Sequence, residues 1–334
     1  MTAVPIAPAA RSLLDHAVQA RFAFIVLVVL LALPPLAQAF DGGFYIGLAS
    51  RILIFALAAT SLNLILGFGG MVSFGHAAFM GVGGYTVGIL MQLGFASAWL
   101  AWPLAFALGG ACACAIGAIC LRTRGVYFIM ITLAFAQMIY YIFVSLKTYG
   151  GDDGLSMPGR STIGIGTLSN DFVWYYTVLA ILALVLYGLH RLVHSRFGRV
   201  IAAIRENEAR AEAIGFPVYR YKLACFVIAG AVGGLAGALI ANQSSYVSPS
   251  LLHWIQSGTL MIMVILGGVG TIWGGVIGAA VLLGLEHLIS DYRIGWLAAL
   301  APNYQDHGGL AVGIVLLAIV LAAPRGIAGF FRDA

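Results

Sequence analysis

Residues Leu223 to Ala241 read LACFVIAGAVGGLAGALIA, nineteen positions without a charged side chain. One bilayer crossing takes roughly 20 mostly apolar residues, so this run by itself points to a membrane-spanning helix. Ile25 to Leu33 and Trp174 to Leu189 are also free of charge. Across all 334 residues, 62% are apolar and 9% are charged, whereas a soluble domain carries about 25% charged residues. So few charges cannot cover a water-exposed surface. The 43 glycines suit tightly packed transmembrane helices, because small residues let backbones approach closely.

Working outward from that run, ten apolar segments emerge: 22–40, 44–66, 70–92, 97–120, 125–146, 171–191, 222–242, 254–270, 272–290 and 308–323. The fold expected is an all-α polytopic bundle of about ten transmembrane helices, eight to ten in all, with short or broken Gly-rich helices. The joints at Gly67-Phe68-Gly69-Gly70 and Gly267-Gly268-Val269-Gly270 are either tight turns or re-entrant breaks. An offset of 200 aligns Gly67, Gly70, Gly75 and Gly84 with Gly267, Gly270, Gly275 and Gly284; four matches do not establish a repeat.

Basic residues favour the cytoplasmic side of a membrane. With the N-terminus inside, Arg11, Arg21, Arg122, Arg124, Arg191, Arg196, Arg199, Arg205, Arg210, Arg220, Lys222, Arg325 and Arg332 are cytoplasmic, against Lys147, Arg160 and Arg293 outside. Arg51 lies in the second span, close enough to its outer end to snorkel. The reading is therefore a cytoplasmic segment 1–21, one transmembrane domain over 22–323 and a cytoplasmic tail 324–334. Ala37-Gln38-Ala39 resembles a signal-peptidase site, but the long polar lead before the apolar run favours an uncleaved first helix. Cys112, Cys114, Cys120 and Cys225 all fall in apolar runs and read as small packing residues.

The loop 191–222 is the most informative polar stretch, with seven of the 17 basic and three of the 12 acidic residues. Val200 to Ile214 reads as one amphipathic helix, with Val200, Ile201, Ile204, Ala211 and Ile214 supplying its apolar positions. Glu206 with Arg210, and Arg205 with Glu208, stand at pairing distances along such a helix. Gly215 suits its C-terminal cap and Pro217 its stop. This is either an interfacial loop helix or a docking helix for a cytoplasmic partner; on the second reading Ile204 stands on the contact face. No G-x-x-x-x-G-K-[ST] phosphate loop is present, and the tail after the last span is short, so any ATP chemistry is expected on separate subunits. The chain shows no convincing triad or metal cluster, and its spans carry no series of acids resembling a proton relay.

The run Gly198-Arg199-Val200-Ile201-Ala202-Ala203-Ile204-Arg205-Glu206-Asn207-Glu208-Ala209-Arg210-Ala211-Glu212-Ala213-Ile214-Gly215 resembles the cytoplasmic loop of LivM-type permeases, the membrane subunits of branched-chain amino acid ABC importers. Further segments are similar in order: Leu62 to Gly70 with Ser73 to Gly81, Arg124 to Phe128, Thr132 to Phe135, Gly150 to Leu155, Tyr221 to Leu223, Ser248-Pro249, Leu266 to Gly274 and Pro324 to Gly326. Together they cover roughly 45–327. The resemblance implies an inner-membrane importer subunit with both termini cytoplasmic. It also implies a second permease subunit, two cytoplasmic ATPases that bind ATP and Mg, and an external solute-binding protein, with no cofactor or nucleic acid on this chain. Coupling to the ATPases falls to Arg199, Ile201, Ile204, Arg205, Glu206, Glu208, Arg210, Glu212 and Gly215. The wider family signature is Glu-Ala-Ala followed by Gly; here Glu208-Ala209-Arg210 departs from it, which leaves the register of the contact open. Branched-chain amino acids are the expected cargo, with urea or amides as related solutes, and a self-sufficient secondary carrier or channel is the alternative class.

Polar residues inside a membrane are costly. Asn63, Ser73, His76, Thr132 and Gln137, with the joint glycines Gly67, Gly70, Gly267 and Gly270, are the residues expected along the solute path. Asn242 and Gln243 are further intramembrane polar positions, while Glu286 and His287 read as surface residues near a span end. The pairs Gly230/Gly234, Gly233/Gly237, Gly270/Gly274 and Gly274/Gly278 read first as helix-packing contacts.

Overall fold

The computed structural model describes residues 28, 30–35, 43–163, 166–291, 308–323 and 326–330. The segment 1–21, the Ala37-Gln38-Ala39 site, Arg293, Arg325 and Arg332 lie outside the described residues, and of the first span only 28 and 30–35 are seen, in helix. The helices are α1 (Gly43–Asn63), α2 (His76–Gln92), α3 (Ala98–Cys120), α4 (Val126–Ser145), α5 (Asp171–Val193), α6 (Arg196–Glu206), α7 (Glu208–Ala213), α8 (Val218–Ser244), α9 (Trp254–Gly267), α10 (Gly274–Asp291), α11 (Gly308–Ala322) and α12 (Ile327–Phe330). A π-turn, Leu64–Phe68, extends α1. The chain is an all-α polytopic bundle, and five of the described helices are long and apolar enough to cross a bilayer.

Backbone polar groups in hydrocarbon must bond internally, so helices carry nearly the whole chain through the membrane. The only described strands are two-residue pieces. Leu155–Ser156 pairs antiparallel with Tyr246–Val247, and Thr162–Ile163 with Gly166–Thr167. Both pairs sit at one end of the bundle, where Thr162 N also donates to Ala96 O at 2.8 Å. We call this the loop end. The opposite end gathers the two glycine joints and α6 and α7, and is called the joint end.

α1 and α8 form the centre: 78% and 72% of their apolar windows are buried, against 17% for α4. α8 can be central because its glycines admit neighbouring backbones. A Cβ on Gly230 would strike Ala113, one on Gly234 would strike Ala105 O, and one on Gly237 would strike Met80 O. Gly83 and Gly109 return the contact from α2 and α3. Gly278 likewise faces Met263 O across the α9–α10 pair. Gly270/Gly274 is not such a pair: Gly270 lies in a loop with φ +77, where the left-handed backbone ends helical spacing.

Two expected spans are shortened. The segment 70–92 is helical only from His76, because Gly70, at φ +66, sends the chain out of the π-turn and 69–75 is irregular. The segment 254–270 becomes the 14-residue α9, about 21 Å long at 1.5 Å per residue and short of the ~30 Å hydrocarbon core. In the other direction, α8 starts at Val218 rather than 222, so Arg220 and Lys222 occupy its first turns.

Candidate coupling interface

The two glycine joints meet. Asn63, 1% exposed at the end of α1, donates from Nδ2 to Thr271 O at 2.6 Å, and its Oδ1 accepts from Gly270 N at 2.9 Å. One side-chain amide thus satisfies two backbone groups that a broken helix leaves without helical partners. A Cβ on Gly67 would collide with Gly270 backbone, so only glycine permits this approach. Gly267 makes the same close approach to Gly274 O.

Arg205 closes the arrangement from α6. Its guanidinium donates to Gly67 O, its stem lies against Gly70, and its Nη1 stands beside Gly270. A hydrogen bond from a charged donor contributes about 1.5–3 kcal/mol. Arg205 is the last basic residue of α6, so α6 is tied directly to both joints.

α6 and α7 are two helices, which corrects the expectation of one helix over 200–214. Asn207 breaks them: it is extended (φ −157, ψ 101) and its side chain accepts from Arg210 N. Asn favours this capping geometry over a helix interior. The break also removes the expected pairings within a continuous helix. Instead Glu208 pairs with Lys222 at 2.7 Å and with Arg124 at 3.4 Å, and Arg124 reaches Glu212 at 3.4 Å. Arg124 is largely exposed, so its pairs are weak; Lys222 and Glu208 are mostly covered and tie α7 to the start of α8. Gly215 stands at φ +96, and Phe216 N bonds Ala211 O at 3.1 Å. That is the left-handed stop which favours glycine.

The outward face differs from the expected one. Ile201 and Ile204, each 3% exposed, face inward and pack with Leu64, Ile65, Met71 and Phe226. The placement of Ile204 on an outward contact face is therefore corrected: the apolar side of α6 is already covered by the bundle, as the hydrophobic effect demands. Arg199, Glu206, Arg210 and Glu212 are exposed, and so are the apolar Ile214 (69%) and Phe216 (38%).

The other intramembrane polar residues stitch the irregular 69–75 segment to its neighbours. His76 Nε2 lies 2.5 Å from Ser61 Oγ on α1. Phe74 N donates to Thr132 Oγ1 on α4 at 3.3 Å, and Ala77 N donates to Ser257 Oγ on α9 at 2.8 Å. Ser73 Oγ accepts from Gly75 N. Gln137 is half-buried further along α4. The sequence-derived path residues therefore fall into a joint cluster (Asn63, Gly67, Gly70, Gly267, Gly270), a stitching cluster (Ser73, His76, Thr132) and Gln137. At the loop end Asn242 Oδ1 accepts from Ser161 N at 2.7 Å, and Gln243 bonds Trp174 and Gly47.

Sequence reasoning missed Ser61 and Ser257, small polar residues with no distinguishing spacing, and held Thr271 only as part of the resembling stretch Leu266 to Gly274. It named Arg124 and Lys222 as positive-inside charges and within resembling segments, without pairing them with the acidic residues of α7 that stand within their reach.

The family model described as branched-chain amino acid transport system / permease component matches residues 44–322. The chain belongs to that family. This permease is 26% identical over 309 residues to the high-affinity branched-chain amino acid transport system permease protein LivM of Salmonella typhimurium, covering 84% of this chain and 69% of that one. It is 26% identical over 295 residues to LivH of Escherichia coli (82% and 91%). It is 24% identical over 330 residues to a probable LivM of Methanocaldococcus jannaschii (84% and 93%). No solved structure matches the permease.

Proposed function

We propose that this permease passes branched-chain amino acids inward, that separate ATPase subunits drive it, and that α6 and α7 are where an ATPase pushes. The observation that carries the reading is Arg205. It joins the exposed helix pair to both glycine joints at once, so displacement of a docked partner acts on the places where the transmembrane backbone is not regular helix. The inward-packed Ile201 and Ile204 anchor the pair, while Glu206, Arg210, Ile214 and Phe216 present a mixed polar and apolar surface, the composition of a non-obligate interface.

On this reading the joint end is cytoplasmic, as the positive-inside bias supports. ATP and Mg belong to the ATPases. The loop end receives solute from an external binding protein, and a second permease subunit completes the pathway in the inner membrane. The permease domain runs 22–323, with 191–222 as its coupling loop.

The test uses the assembled transporter. A cysteine at Ile214 should cross-link to an ATPase subunit. Arg205→Gln should retain the ATPases and hydrolyse ATP while leucine uptake per ATP falls about tenfold or more, because roughly 1.5–3 kcal/mol of linkage is lost. Normal uptake per ATP in Arg205→Gln, with no cross-link at 214, overturns the assignment.

A further inference from the structure

A cavity of about 450 Å³ opens at the loop end, lined in part by Tyr140, Asp152, Ser248, Pro249, Ser250 and Ile255. Its volume lies in the range of small-molecule sites, about 300–1,000 Å³. We infer that it is the outer solute site of the permease, taking the zwitterion of an aliphatic α-amino acid. This rests on the proposed import function and adds where the solute first sits.

The cavity wall is built from the short strand Tyr246–Val247 and the single 3₁₀ turn Pro249–Leu252. Tyr246 to His253 runs back down along α2, with Val247 near Gly84 and Gly88 and Leu252 against Gly81. α9 then begins below the rim, where the Trp254 ring lies 6.3 Å from that of Phe74. Short interruptions between helices are stable where protein buries them or where they border a wet cavity. Broken helices of this kind form the solute sites of many transporters.

The lining groups match the three parts of the solute. Asp152 supplies a carboxylate for the ammonium group, and it forms no ion pair among the described residues. Its loop turns through Gly150, Gly151 and Gly154, all at positive φ, and is tied to the cavity wall where Tyr246 donates its hydroxyl to Asp153 O. Ser248 and Ser250, with hydroxyls 2.5 Å apart, form the polar side of the cavity, where the hydroxyl hydrogen not shared between them is a donor for the carboxylate. Tyr140, Pro249 and Ile255 offer apolar surface for the aliphatic side chain. The buried Tyr85 hydroxyl, which has no hydrogen-bond partner, lies within electrostatic reach of Asp152 and adds a polar group behind the site.

The experiment places a cysteine at Gln256, another lining position, in the assembled transporter and measures its labelling by an impermeant thiol reagent. L-leucine should slow the labelling. Isocaproate, which lacks the ammonium, and isoamylamine, which lacks the carboxylate, should not. Asp152→Asn should weaken protection by leucine about tenfold, the equivalent of 1.4 kcal/mol, and Asp152→Glu should restore part of it. Labelling unaffected by leucine, or protection equal in Asp152→Asn, overturns the site. ATP hydrolysis is read on the same samples: its persistence leaves the coupling reading standing when the site fails, and absence of bound ATPases sinks the coupling reading whatever the labelling shows.

Discussion

Ile204→Asp is expected to unseat α6 from the bundle. Ile204 is 3% exposed and packs among Leu64, Ile65 and Phe226, where no ion-pair partner for a new carboxylate is described. Burying an unpaired charge costs several kcal/mol, or else the seat opens to admit water. Either outcome moves Arg205, one residue on, away from Gly67 O. The expected result is lower thermal stability in detergent, with reduced ATPase co-purification and loss of solute-driven hydrolysis. Ile204→Val leaves the seat apolar and should cost only about 0.5–1.5 kcal/mol. Equal stability and coupling in the Asp and Val variants would contradict the inward placement.

Gly237→Ala acts on the other critical contact. The added Cβ would overlap Met80 O on α2, a backbone atom that cannot rotate away. Relief requires the α2 and α8 axes to separate, and forced overpacking costs about 1–3 kcal/mol, sometimes more. α8 is central and 72% of its apolar window is buried, so the strain spreads through the bundle. Gly188→Ala is the matched control: nothing lies within 4 Å of its Cβ, and alanine favours helix over glycine by roughly 0.8–1 kcal/mol. Thermal unfolding of the purified permease should fall for the first and hold or rise for the second. The same midpoint for both would remove the close α2–α8 contact from the account.

Hydropathy made the bundle legible because spanning helices need long apolar runs, and α3, α4 and α5 lie within a few residues of the runs read from the chain. It misplaced α2 and α9, since 69–75 and 268–270 are as apolar as the helices they interrupt. Apolarity reports membrane depth, whereas the breaks depend on single glycines with positive φ. The loop 191–222 was legible as a charged, capped segment. Its inner and outer faces were not, because Ile201, Ile204 and Ile214 look equivalent in sequence; two are buried and one is exposed. Ile214 caps the C-terminus of α7, past Ala211, which is the residue of α7 that stays buried. The joint contacts were outside the reach of spacing arguments: Asn63 and Gly270 are 207 positions apart, and their meeting is a product of the whole fold. Asn63, Gly67 and Gly270 were singled out as membrane-embedded polar and glycine positions, and the structure brings them together at the joint.

The most direct test of the central claim is leucine uptake into proteoliposomes. The purified permease is reconstituted alone with an imposed ion gradient, and again with its second permease subunit, ATPases, binding protein and ATP. The account predicts uptake only in the complete, ATP-supplied system. Sustained uptake by this chain alone would contradict it and identify the protein as a self-sufficient carrier.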